Sequence, residues 1–478
     1  MVSVRADATV ALTMLMDRLS WPVKMVRWKA AKAIRGLIED QSTRAAATAR
    51  LLQWLGERPL ESEVASGLSV FLIVAPDARP GLSELCSRIA RPSLLSEMLV
   101  EKMYGRHCGG WEQAHSGVVP VGFLASKYFE DHKAAHVPRI FSNRLEGLGE
   151  LYGLPLMRQW AYEWQALTDE TRTVATSYPS YLGDFALQRS GVVGQFVQRQ
   201  AEVFRSAYLR TLAFAVSEWG MPLRIAAPYL FHTLSTLPDL FNVEPQERPK
   251  WLGQTPAKSL VDGADLEAIG RRIVNAAKTR DWSLVALGSP FPADRAEFGD
   301  LTLAAFFITD DFVPSEEQEL DTIGDLLYPD DLRFNMTREA LEVKPIQGRK
   351  GTAISVCSEA HPIFHGFWHD DYFQRGLSLP APYCFEKATT QRADVAGLKI
   401  LLDGDEVAKA TLWHDAWSPL YGKGSPTRYG IATTMRRDKL NAAAKRFGMK
   451  IGWFVRVAFM KKVGFSDLEP ITRTSFFN

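Results

Sequence analysis

The feature that most constrains this chain is a change of hydrophobic period along it. Before about residue 236, apolar residues recur at the i, i+3, i+4 spacing of helices that bury one face. After Trp282 they fall in short continuous or alternating runs, which is the pattern of strands. Between the two textures, Pro238, Pro245, Pro249 and Pro256 interrupt any helix, because proline lacks a backbone N–H and clashes with the preceding turn. The 478 residues are enough for about two to four domains. The break therefore predicts an α+β protein: an all-helical N-terminal region followed by a mixed α/β C-terminal domain. The segments read as 1–105, 106–258 and 259–478.

In the first segment Leu12, Leu15, Met16 and Leu19 share one helical face, and Val23, Val26, Ala30, Ile34 and Leu37 share another. Ser20-Trp21-Pro22 separates them, and Pro22 suits a first helical turn, so the pair reads as an αα-hairpin. Further helices are expected at 43–56, 61–75, 92–104, 121–132, 138–151, 154–168, 192–218 and 221–235. The stretch Val26-Arg27-Trp28-Lys29-Ala30-Ala31-Lys32-Ala33-Ile34, with Leu37 and Asp40, resembles the second helix of a HEAT repeat. Small residues at Ala30, Ala31 and Ala33 would let neighbouring helices approach closely. The resemblance spans about one repeat period and implies a degenerate helical solenoid with an extended surface for a protein partner.

A helix at 260–278 leads into the second texture. Strands are expected at 283–287, 301–308 and 354–357. Runs at 398–402 and 407–413 flank Asp403-Gly404-Asp405, a hairpin signal. A helix at Arg436–Phe447 should stop at Gly448, and a strand should follow at 451–460.

The motifs of several enzyme classes are absent: no GxxxxGK[ST] phosphate loop, no GxGxxG, no GxSxG and no HExxH. The sharpest candidate chemistry is Cys357, His361, His365 and His369, followed by Asp370-Asp371. Their four-residue spacing would align sulfur and imidazole ligands on one face, as a metal or nucleophilic site requires. Pro362 and Gly366 interrupt that face, so no catalytic, cofactor or metal residue is assigned. Cys86, Cys108, Cys357 and Cys384 are far apart and form no CxxC pair, which argues against a zinc ribbon or a dense disulfide scaffold. The N-terminus lacks the apolar core of a signal peptide, and no stretch has the length of a membrane span. The expected location is the cytoplasm, where thiols stay reduced.

The formal net charge of +1 conceals segregation. Between Asp294 and Asp331 twelve acidic residues stand against one basic, and between Gly422 and Lys462 eleven basic residues stand against one acidic. Arg436, Arg437, Lys439, Lys445, Arg446 and Lys450 are the candidate contacts to nucleic acid or an acidic partner. Trp413, Trp417, Tyr421, Tyr429 and Trp453 are candidate stacking surfaces. The alternative is that the two charged segments pair within the molecule around an aromatic core.

The closing stretch runs from Arg428-Tyr429-Gly430-Ile431 through Arg436-Arg437-Asp438-Lys439-Leu440 to Phe447-Gly448 and Ile451-Gly452-Trp453. With the helical start, it resembles the HEAT-containing and C-terminal regions of bacterial NACHT-like or STAND-type defence proteins, without their NTPase domain. That resemblance implies a non-enzymatic recognition or scaffold protein in anti-phage sensing. The rival readings are an enzyme around Cys357–His369 and a nucleic-acid binder.

Overall fold

The computed structural model describes residues 2–20, 24–130, 139–173, 191–231, 233–234, 243–253, 265–292, 298–314, 345–362, 376–414, 429–463 and 468–478. The chain divides into two compact units that part between Phe241 and Asn242. The fold is α+β, and the strands among the described residues all lie after Asp281.

The first unit is helical. Its described α-helices are α1 (Val2–Asp17), α2 (Lys24–Glu39), α3 (Arg44–Gly56), α4 (Glu61–Ile73), α5 (Leu82–Cys86), α6 (Leu94–Tyr104), α7 (Arg139–Tyr152), α8 (Leu156–Thr171), α9 (Gly191–Ser217) and α10 (Leu223–Phe231). One hydrophobic core runs through them from Met16 to Leu230, so the segment read as 1–105 and the part of 106–258 up to Leu230 share it, while Leu252 lies in the core of the second unit. On α2, Ala30 and Ile34 are buried, Val26 and Leu37 are half-buried, and Lys29 is exposed. Helix α6 starts with a capping box between Ser93 and Ser96 and ends at Gly105 in the left-handed region, the two termini its sequence specifies.

Two expectations fail here. The helix expected at 121–132 is a turn and irregular chain to Ser126, with helix only from Lys127 to Glu130 among the described residues. Pro120 and Gly122 break the period, and Gly117 just before them has φ +86°, a conformation that favours glycine. The second concerns the cysteines, expected in a compartment where thiols stay reduced: Cys86 and Cys108 are bonded, 22 residues apart in sequence and 5.4 Å between Cα atoms, a single bridge and not a dense disulfide scaffold.

The second unit is built on a ten-stranded sheet. Helix α11 (Leu266–Ala277) comes first. The strands are β1 (Trp282–Pro292), β2 (Phe298–Ile308), β3 (Ile346–Gln347), β4 (Thr352–Ser355), β5 (Cys357–Pro362), β6 (Gly376–Pro380), β7 (Thr390–Asp394), β8 (Gly397–Leu402), β9 (Asp405–His414), β10 (Tyr429–Arg436), β11 (Lys450–Lys462) and β12 (Leu468–Phe477). Helix α12 (Arg437–Phe447) joins β10 to β11. The sheet order is β12-β11-β2-β1-β10-β9-β8-β7, with β4 beside the end of β2 and β3 beside β4. β5 and β6 form a separate antiparallel pair.

Strand β2 reads as a continuous apolar run because both of its faces are buried. Leu301 and Leu303 meet Ile269 and Ile273 of α11, while Ala304, Phe306 and Ile308 pack with Phe312 and Phe454 on the opposite face. The β8–β9 hairpin turns at Asp403 (φ 52°) and Gly404 (φ 91°), the two positive angles that a tight Asp-Gly turn requires. α12 ends at Gly448 in the left-handed region, as its sequence predicts.

The buried face of α2 sets a stability test. Ala30→Arg forces a bulky charge into a closed helix contact and should cost about 3 kcal/mol or more, whereas exposed Lys29→Arg should stay within about 0.5 kcal/mol. Urea unfolding of the two variants checks this, and equal stability would place that face in solvent.

Candidate functional site

The chemistry read from the sequence does not assemble among the described residues. Cys357 is buried at the start of β5, where burial, reinforced by the neighbouring Cys384, pushes its thiol far above the ordinary value. Burial also pushes the Cys384 thiol up, to about 12. A thiol held protonated in this way is a poor nucleophile and a poor metal ligand. The His361 backbone pairs with Leu377 across β5 and β6, while His365 and His369 lie outside the described residues. Among the described residues no group of three or more His, Cys, Asp or Glu side chains is placed to hold a metal ion.

The six candidate basic residues sit on or beside α12, and four of them have partners within the unit. Arg436 pairs with Asp438 at 3.2 Å, Arg437 donates to the Thr279 carbonyl at 3.0 Å, and Lys450 pairs with Asp310 at 2.9 Å. Arg446 donates to the Tyr383 carbonyl and lies 3.8 Å from Glu386. Lys439 and Lys445 make no ion pair among the described residues. Most of the acidic window lies outside the described residues, but Asp310 belongs to it and meets the basic segment directly. Of the candidate stacking aromatics, Trp413 is 1% exposed, with Gly430 close against its ring. Trp453 is stacked on Phe477, with ring centroids 5.9 Å apart. The buried Trp413 ring offers no free face for a base.

The arrangement that stands out lies in the helical unit, in a segment that overlaps the start of the helix expected at 121–132. Val118, Val121 and Leu124 are 76%, 98% and 87% exposed, and Tyr128 is 52% exposed. Single exposed apolar residues are ordinary, but four within the eleven positions 118–128, three in the loop and Tyr128 at the start of the short helix after it, are not. The backbone beneath them is tied to the exposed and buried faces of α8. Arg158 donates to the carbonyls of Pro120 (2.9 Å) and Val121 (2.8 Å), and Gln159 donates to that of Gly117 (3.0 Å). Fully buried Glu163 accepts from the Ser116 N–H at 2.9 Å and its hydroxyl at 2.7 Å, and also from Gln159 at 2.9 Å. Upstream, Glu97 accepts from the N–H groups of Cys108 (3.3 Å) and Gly109 (3.1 Å), beside the disulfide. Phe123 meets Tyr162 edge-on at 5.2 Å, and Phe129 is driven between Trp160 and Trp164.

Helix α8 is itself fixed by α9. The Trp160 indole donates to the Phe204 carbonyl at 3.1 Å, and Trp164 stacks on Phe204. On its other side α9 carries a buried charged seam. Glu202 accepts from Arg27 at 3.1 Å and Arg205 at 2.8 Å, and Ser206 meets Ser62 at 3.0 Å. Arg210 reaches Glu61 at 2.6 Å and Glu170 of α8 at 3.4 Å, and Glu170 in turn meets Arg91. Burial disfavours the Arg210 charge, but the carboxylates of Glu61, Glu163 and Glu170 outweigh it and hold its pKa above the usual guanidinium value. Glu63 lies 3.5 Å from Arg199, yet burial dominates and pushes its carboxyl up to about 7.

No family model matches the chain, and no curated protein matches it in sequence.

The raised Glu63 carboxyl has a signed consequence. Below about pH 4.5 it is protonated in both folded and unfolded chains. As pH rises from about 4.5 to about 7, the unfolded chain releases this proton while the folded chain keeps it, so this contribution to stability is lost across that window. Glu63→Gln removes the effect, so the variant should gain stability relative to wild type as pH rises, as followed by urea unfolding. Parallel profiles would contradict it. For the basic helix, wild-type protein should bind neither DNA nor RNA detectably at low salt. Arg436→Glu/Arg437→Glu should lose about 0.5–1 kcal/mol of stability through its broken contacts. Tight wild-type binding that falls steeply with salt and collapses in the variant would reverse that assignment.

Proposed function

We propose that this chain is a non-enzymatic recognition or scaffold protein that contacts a protein partner through the loop 117–128. The observation that carries this reading is the pairing of exposure with anchorage: Val121 and Leu124 stand in solvent while Arg158, Gln159 and Glu163 hold the backbone at Ser116, Gly117, Pro120 and Val121 and Phe123 packs edge-on to Tyr162. A loop ordered before binding loses little conformational freedom on docking. Burying a Val or Leu side chain then contributes about 1.5–3 kcal/mol.

Charge argues for a protein partner with an apolar recess over a lipid surface. Residues 105–130 carry Arg106 and Lys127 against Glu112 and Glu130, without the cationic cluster that draws a loop to anionic lipid. Among the described residues no helix is long and apolar enough to cross a membrane. The resemblance of the Val26–Ile34 stretch and the closing segment to NACHT-like and STAND-type proteins supports a role as a sensing component in bacterial antiviral defence.

Replacing Val121 with a photo-cross-linking amino acid in the native host tests the reading. The expected result is a discrete adduct with one protein, lost when Leu124→Asp is added, with the melting temperature of Leu124→Asp unchanged because the side chain is exposed. No adduct, or one indifferent to Leu124→Asp, would remove this loop as the contact surface.

A further inference from the structure

We propose that the Cys86–Cys108 bond is a redox switch that sets the order of the 105–117 segment and, through it, the presentation of the apolar loop. The proposal rests on the recognition reading above and names the regulation of that same surface.

The bond joins the last residue of the five-residue helix α5 to the chain just after α6. Its position is what gives it leverage. Immediately after Cys108 come Gly109 (φ +81°) and Gly110 (φ +88°), two left-handed glycines with open space around Gly109 and only Pro92 near Gly110. A glycine pair restrains the chain less than any other, so the order of this stretch must come from its attachments. On the upstream side those attachments are the disulfide, the two N–H groups received by Glu97, and the His107 imidazole, whose Nδ1 lies 3.2 Å from Glu97. On the downstream side they are Trp111 against the helical core, His115 edge-on to Phe214 at 4.9 Å, and Glu163, Gln159 and Arg158 at Ser116 to Val121. Opening the disulfide removes the covalent half of the upstream anchor and leaves the glycine pair as a hinge.

The bond is also accessible to chemistry. Cys86 and Cys108 are both half-buried, whereas the two free cysteines, Cys357 and Cys384, are buried. An external thiolate can therefore reach the bonded pair, while the other two are shielded. The balanced step is thiol–disulfide exchange with a dithiol, either a small molecule or a dithiol oxidoreductase. The first thiolate attacks one sulfur, the Cys86–Cys108 bond breaks, and the mixed disulfide is resolved by the second thiol. The dithiol is oxidised to its disulfide, and Cys86 and Cys108 take up two electrons and two protons as thiols.

The test uses the full chain, oxidised by glutathione disulfide or reduced with dithiothreitol, and the Cys86→Ser/Cys108→Ser variant in parallel. Iodoacetamide labelling of native protein should modify two cysteines after reduction and none after oxidation. Amide exchange in peptides covering 105–117 should quicken about tenfold or more on reduction and in the variant, with α8 and α9 unchanged and with recovery on reoxidation. Iodoacetamide reaching Cys86 and Cys108 in the oxidised protein, or identical exchange in both states, would overturn the proposal. If exchange responds but Val121 captures no protein in either state, the recognition reading falls while the switch stands. If Val121 captures its partner equally in both states and exchange does not change, the switch falls and recognition stands.

Discussion

The helical unit depends on how α9 satisfies the charges it buries. Glu202, Arg205 and Arg210 are each less than a tenth exposed, and unpaired ions at such positions would cost several kcal/mol each. Each finds its complement on a different helix or on the next turn: Arg27 on α2, Glu61 on α4, Glu170 on α8. The opposite side of α9 places Phe204 and Tyr208 among Trp160, Trp164 and Phe129. A hydrophobic helix could slide or rotate against its neighbours at little cost. One with an ionic side and an aromatic side has a single register in which both are satisfied. Such seams add little net stability over apolar packing, but they penalise every alternative arrangement.

That register passes outward. Fixing α9 fixes α8 through Trp160, Trp164 and Glu170, and α8 presents Arg158, Gln159 and Glu163 to the loop at 116–121. The same residue types therefore serve two ends: Glu163 is a fully buried carboxylate satisfied by the loop's own Ser116. The exposed apolar side chains are the last link, held by polar groups and not by their own burial. In the second unit the constraint is different. A sheet buried on both faces at β2 needs cover on each, and α11 supplies one side through Ile269, Ile273 and Gly270, the last lying against the Phe477 ring.

Much of this was legible in the sequence, and each failure has its own physical reason. The change of period located both units, and the helices at α3, α4, α6 and α9 fall within about two residues of their expected bounds because their apolar spacing is unbroken. The Asp403-Gly404 hairpin and the Gly448 stop were visible because particular residues are needed at those backbone angles. The charged seam was not, since Glu and Arg three or four residues apart also describe a solvated helix face, and only tertiary packing separates the two. The helix expected at 121–132 begins only at Lys127, because Pro120 and Gly122 break the backbone where its first turn would start. Strand β12 went unmarked because Thr472, Arg473, Thr474 and Ser475 dilute its apolar pattern at a sheet edge. The disulfide carries no spacing signature at all.

The claim that the buried seam fixes the helices beneath the loop is tested most directly by a double-mutant cycle on Glu61 and Arg210, read by urea unfolding. Arg210→Met strands Glu61 in the core, and Glu61→Leu leaves Arg210 only the longer contact to Glu170 at 3.4 Å, so each single change should be destabilising, the first more than the second. The double variant should recover much of the loss, with a coupling of about 2 kcal/mol or more. Additivity of the two single changes within about 0.5 kcal/mol would show that the two side chains do not depend on each other, and would contradict the account.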